Sequence, residues 1–122
     1  MVDALNGCTG DAILDGEIVA ERAGGVLPFR SLQTRLQRRD PDPALIAEIP
    51  ATFVAFDLLA HGADLIIDKP LADRRARLAA VVADRPHLRL APALALPADA
   101  SGDAVRALFA AARERGNEGL MI

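Results

Sequence analysis

The chain has 122 residues, a formal net charge of −3 and one cysteine, with 52% hydrophobic and 25% charged residues. That length suits one domain or part of one, the balance is globular and not disordered, and no apolar run reaches the ~20 residues of a membrane span. The charge gives no overall attraction to polyanions, the lone Cys8 excludes an internal disulfide or a cysteine zinc cluster, and the opening MVDALNGCTG lacks a secretory pattern, which predicts a cytoplasmic protein.

AILDGEIVAE, Ala12 to Glu21, is rich in Ile, Leu and Val and reads as a strand. Alternation puts Ile13, Asp15, Glu17 and Val19 on one face and Leu14, Gly16, Ile18 and Ala20 on the other. Two carboxylates on one face of an apolar strand call for a cation, a metal or hydrogen-bond donors, so this face suggests a site. Gly16, on the opposite face, suits close packing.

RAGG, Arg22 to Gly25, is turn chemistry, predicting a hairpin or loop. Pro28 then opens PFRSLQTRLQRR, where Phe29, Leu32 and Leu36 recur at helical spacing and are assigned to the core. DPDP, Asp40 to Pro43, stops that helix, and Ala44 to Ile49 forms a helical turn before Pro50. TFVAFDLLA, Thr52 to Ala60, is the second strong strand; His61 and Gly62 turn it into a short partner, ADLII. Phe56 and Asp57 point to opposite faces of that strand.

A helix is expected from Pro70 to Arg85, with Leu71, Leu78 and Val82 on its apolar side and Pro86 ending it. HLRLAPALAL suits an edge strand because of its proline. SGDAVRALFAAARERG is a helix that Ser101 or Asp103 caps and Gly116 ends, and NEGLMI begins a further strand. The order predicts an α+β domain with antiparallel or mixed sheets and packed helices.

ILDGEIVA, FVAFDLL and EGLMI, in this order and at these spacings, resemble the third motif, the aromatic-containing motif and the fourth motif of ATP-dependent DNA ligases. PFRSLQTRLQRR is similar to that family's F-x-x-L-Q-x-R helix, and KPLADRRARL to its P-L-x-x-R-R helix. The resemblance covers nearly the whole chain. It implies a partial ATP-grasp-like nucleotidyltransferase (adenylation) domain spanning residues 1–122 and cut on both sides. It also implies ATP and Mg²⁺ as cofactors, nicked DNA as substrate of the intact enzyme, and a role in DNA repair or recombination.

Carried over residue by residue, the resemblance places Glu17 at the AMP ribose and metal region, Phe56 against adenine, and Glu118 with the metal. A phenylalanine face against a purine contributes ~1–3 kcal/mol, and carboxylate oxygens are hard ligands that suit Mg²⁺. The family's nucleophilic lysine, in a K-x-D-G motif, has no counterpart here. Lys69, in DKPL, is the one lysine, so the chain by itself is expected to be inactive.

The other residues read more plainly. Gln33 and Arg35 brace the site or face solvent, Arg74 and Arg75 cap or pair on the surface, His61 and His87 show no metal or triad pattern, and Cys8 is inert. Unpaired sheet edges and exposed apolar surface predict self-association. Two alternatives stay open: a related RNA ligase or capping nucleotidyltransferase, and a non-catalytic nucleotide-binding or scaffolding remnant.

Overall fold

The computed structural model describes residues 5, 8, 10–82, 86–117 and 119–121. Among these the order is β1 (Ala12–Arg22), β2 (Gly25–Val26), α1 (Phe29–Leu36), α2 (Pro43–Glu48), β3 (Ala51–His61), β4 (Asp64–Leu65), α3 (Leu71–Val81), β5 (Leu88–Leu90) and α4 (Gly102–Glu114). This is the expected α+β class. The chain divides into two units: one holds the chain up to Val19 with Pro50–Ala91, the other Ala20–Ile49 with the chain from Pro92 onward.

In the first unit β3 is the central strand. It lies beside β1, pairs antiparallel with β4 through Ala60↔Leu65 and His61↔Asp64, and pairs parallel with β5 from Phe53↔Leu88 to Ala55↔Leu90. The predicted turn at His61 and Gly62 is present: Gly62 has φ +59, a left-handed conformation that suits glycine, and its N–H donates to the Asp11 carbonyl at 2.7 Å. A parallel partner needs a crossover, and α3 supplies it. Its Leu78 and Val81, with the adjoining Val82, close over Ala55, Leu58, Ile66 and Leu88 to form the core, against which Ala12, Leu14, Phe53 and Leu90 also pack.

Two expected boundaries in this unit are shorter. The helix predicted to Arg85 ends at Val81, because buried, β-branched Val82 is already extended (φ −103, ψ 105) as the chain turns toward β5. Residues 83–85 lie outside the described set. The strand predicted over HLRLAPALAL pairs only at Leu88–Leu90. Ala91 makes one more bond, from its N–H to the Ala55 carbonyl at 2.7 Å, and Pro92 then has no N–H to continue the ladder.

Burial alternates along β1 through Glu17, but Glu17 and Ile18 are both exposed and Ala20 is buried. The change of phase falls where the strand leaves the first unit at Val19, so a different set of neighbours decides which side chains are covered.

In the second unit the end of β1 pairs with β2 through Glu21↔Val26 and Arg22↔Gly25, the hairpin expected at RAGG. Leu32 of α1 is buried, but Phe29 and Leu36, predicted as core, are 52% and 63% exposed. Helical spacing gives these three residues one face, yet in this eight-residue helix only the middle of that face is covered. Arg35 Nη1 donates to the Ile49 carbonyl at 2.8 Å, tying α1 to the end of α2. Asp42 caps α2 by accepting the Leu45 N–H at 2.8 Å, with Pro43 in the first turn. Ser101 caps α4 through the Ala104 N–H, as expected. The strand predicted at NEGLMI does not form over Gly119–Met121, for which no described strand supplies a pairing partner.

Candidate functional site

The faces of the first unit's sheet follow from pairing. Phe53 and Ala55 are in register with buried Leu88 and with Leu90, so these four look toward the core and α3. A Cβ built on Gly16 would stand 2.5 Å from Phe53 Cζ and 2.6 Å from the Val54 carbonyl oxygen, so the Phe53 ring lies directly on Gly16. Ala12, Leu14 and Gly16 of β1 therefore share the core face. Asp15 and Glu17 share the opposite face with Phe56.

On that outer face Glu17 is exposed and Phe56 half-buried. The Glu17 carboxylate meets no hydrogen-bond or ion-pair partner among the described residues. Asp15 is used locally, its Oδ1 accepting the Gly16 N–H at 2.9 Å. The third predicted residue, Glu118, lies outside the described residues. The structure thus brings Glu17 and Phe56 to one face of neighbouring strands.

Sequence reasoning missed what lies behind that face. Asp57, the residue after Phe56, is held at both carboxylate oxygens by Arg74 of α3, through Nε to Oδ1 at 2.9 Å and Nη2 to Oδ2 at 2.7 Å. Both side chains are largely shielded from solvent, and Arg74 also donates to the carbonyls of Ile67 and Lys69. Arg75 donates to the carbonyls of Phe56 and Ala91, each at 2.8 Å. Pairing of these arginines was expected, but not with the strand that carries Phe56. The available signal was an arginine doublet following Pro70 together with an aspartate following a strand aromatic.

The hydrogen bonds from Arg74 hold the Asp57 carboxyl below its ordinary value, against the opposing effect of burial and with help from the Leu58 N–H and the charges of Arg74 and Arg75. Arg74 is raised in turn, chiefly by the same hydrogen bonds. Because the folded pKa of Asp57 is the lower one, its contribution to stability is fully present above the unfolded value near 3.8 and is lost as pH falls through the folded value. Urea midpoints measured from pH 6 to pH 2 should therefore separate the unaltered chain from Asp57→Asn at the upper end and converge at the lower. A gap of constant size would remove Asp57 from the acid response.

Two depressions lie elsewhere. One of about 310 Å³ in the second unit is lined by Arg22, Leu27, Ser31, Thr34, Leu45, Glu48 and Ile49. One of about 550 Å³ in the first lies among Leu5, Cys8, Gly10, Asp11, Ala12, Leu14 and Phe53. Among the described residues no three His, Cys, Asp or Glu side chains converge as a metal cage. Mg²⁺ usually takes only one or two carboxylates and completes its shell with phosphate and water, so an exposed, unpartnered Glu17 fits that ion. No helix among the described residues is long and apolar enough to cross a membrane.

A family model described as ATP dependent DNA ligase domain matches residues 2–122. A probable DNA ligase of Koribacter versatilis is 38% identical over 143 aligned residues, covering 100% of this chain and 25% of the relative. DNA ligases of Archaeoglobus fulgidus and Methanoculleus marisnigri are each 34% identical, over 90% and 92% of this chain and 19% of their own lengths. The chain thus spans a quarter or less of the length of these relatives. With the ordered motifs on β1 and β3 and a match along almost its entire length, the chain belongs to the ATP-dependent DNA ligase domain family.

Proposed function

We propose that residues 1–122 are the central part of an adenylation domain, and that the intact protein seals nicks in DNA during repair or recombination in the cytoplasm. In this reading a lysine outside these residues attacks the α-phosphate of ATP, the α–β phosphoanhydride bond breaks to release pyrophosphate, and the lysine carries AMP. The AMP passes to a 5′-phosphate at the nick, and the 3′-hydroxyl then displaces it. Phe56 stacks on adenine, Glu17 holds the ribose and metal region, and Glu118 binds the metal. Mg²⁺, when bound, supplies neutralisation of charge at the α-phosphate.

The observation that carries this reading is the shared outer face of Glu17 and Phe56. A flat apolar ring and an exposed carboxylate on adjacent strands suit a ligand with a base at one end and hydroxyls and phosphates at the other. The first test uses the 122-residue polypeptide with α-labelled ATP and Mg²⁺. No covalent adduct should form, because Lys69, the one lysine, stands in DKPL and not in a K-x-D-G motif. A stable adduct on Lys69 would overturn this assignment of roles.

A further inference from the structure

Polar groups of three consecutive β3 residues are diverted from simple strand pairing. The Phe56 carbonyl accepts from Arg75 Nη1, the Asp57 carboxylate is gripped by Arg74, and the Leu58 N–H donates to Asp57 Oδ1 at 2.8 Å. The spacing of burial records the disturbance: Ala55 and Leu58, which strict alternation would place on opposite faces, are both completely buried. Arg75 does more than hold one carbonyl. Its second nitrogen holds Ala91, just beyond β5, so one planar guanidinium spans two neighbouring strands.

A side chain's direction is set by the peptide planes on either side of its Cα. The plane between Phe56 and Asp57 is fixed on one side by Arg75, and the Asp57 side chain is fixed by Arg74. Both arginines reach β3 from α3, on the core face, whereas the Phe56 ring is on the outer face. We infer that Arg75 is a positioning residue for Phe56, orienting its ring from behind the strand without touching a nucleotide, while Arg74 secures the adjoining residue. The inference rests on the reading of Phe56 as the adenine platform.

The test compares Phe56→Ala, Arg75→Met, Arg75→Lys and the double variant Phe56→Ala/Arg75→Met. ATP and inorganic tripolyphosphate, which has no base, are measured by equilibrium dialysis. Ring signals of Phe56 are followed by NMR on chains with labelled phenylalanine, assigned through Phe56→Leu. Phe56→Ala should weaken ATP binding about tenfold. Arg75→Met should weaken it about fivefold through a misdirected ring. In the double variant the arginine change should add little, and tripolyphosphate binding should be unchanged throughout. Arg75→Lys, which keeps the charge but loses the fork, should behave like Arg75→Met.

Equal losses for ATP and tripolyphosphate, full rescue by lysine, additive losses in the double variant, or Phe56 signals unmoved by Arg75→Met would each overturn the positioning role. Failure of the unaltered chain to bind ATP, or indifference of ATP binding to Phe56→Ala, would instead overturn the nucleotide platform. The ring signals then still decide whether Arg75 orients Phe56.

Discussion

Leu78→Ala is expected to lower the unfolding free energy by about 3–5 kcal/mol, the upper range for a leucine removed from a packed interior. Leu78 is completely buried on α3 and belongs to the same cluster as Leu58 of β3 and Leu88 of β5. Those neighbours come from a central strand and its parallel partner, whose ladder limits how far they can move into the space left behind. Urea denaturation followed by circular dichroism measures the change, with Leu94→Ala, at a position 69% exposed, as control. The control should shift stability by less than about 0.5 kcal/mol. If Leu78→Ala shifts it no more than the control, the core assigned to the first unit is wrong.

Gly16→Ala is the second large effect, with an expected loss of about 1–3 kcal/mol or more from overpacking. The added methyl meets the Phe53 ring at 2.5 Å and the Val54 carbonyl oxygen at 2.6 Å. The ring belongs to a side chain that can be shortened, whereas the carbonyl belongs to the backbone of β3. Phe53→Leu placed on Gly16→Ala should therefore restore only part of the loss, and denaturant melts of the four members of the cycle give the coupling. Full recovery would assign the whole restriction to the ring; an unchanged Gly16→Ala would remove the close approach altogether.

Much of this was visible before folding was considered. β1 and β3 announce themselves through Ile, Leu, Val and Phe runs, the β3–β4 hairpin through His61 and Gly62, and the start of α4 through Ser101. The use of Gly16 for close packing was legible because alternation assigns its face. Local patterns say less about what covers a face. Phe29 and Leu36 have the spacing of Leu32 but not its burial, and the end of α3 depends on where Val82 must go.

The candidate site shows the same division. The faces on which Glu17 and Phe56 stand were legible from alternation. The grip of Arg74 on Asp57 was not, since it joins residues 17 positions apart on different elements through geometry that no periodicity encodes. Once the strand and helix are placed, the arginine doublet acquires a use that a surface reading could not supply.

The mixed pairing of β3 also has a kinetic consequence. Its antiparallel neighbour β4 follows across a two-residue turn, whereas its parallel neighbour β5 arrives only after the intervening helix, joining Phe53 to Leu88. Closing the shorter loop loses less chain entropy, so the two stretches of β3 should acquire protection at different times. Pulse-labelled amide exchange during refolding should find Ile66, whose N–H donates to the Leu59 carbonyl, protected before Ala91, whose N–H donates to the Ala55 carbonyl, and simultaneous protection would argue for a single concerted step. The last pairing to close is also the one bridged by Arg75, so the strand bearing Phe56 reaches its final form only when β5 is in place.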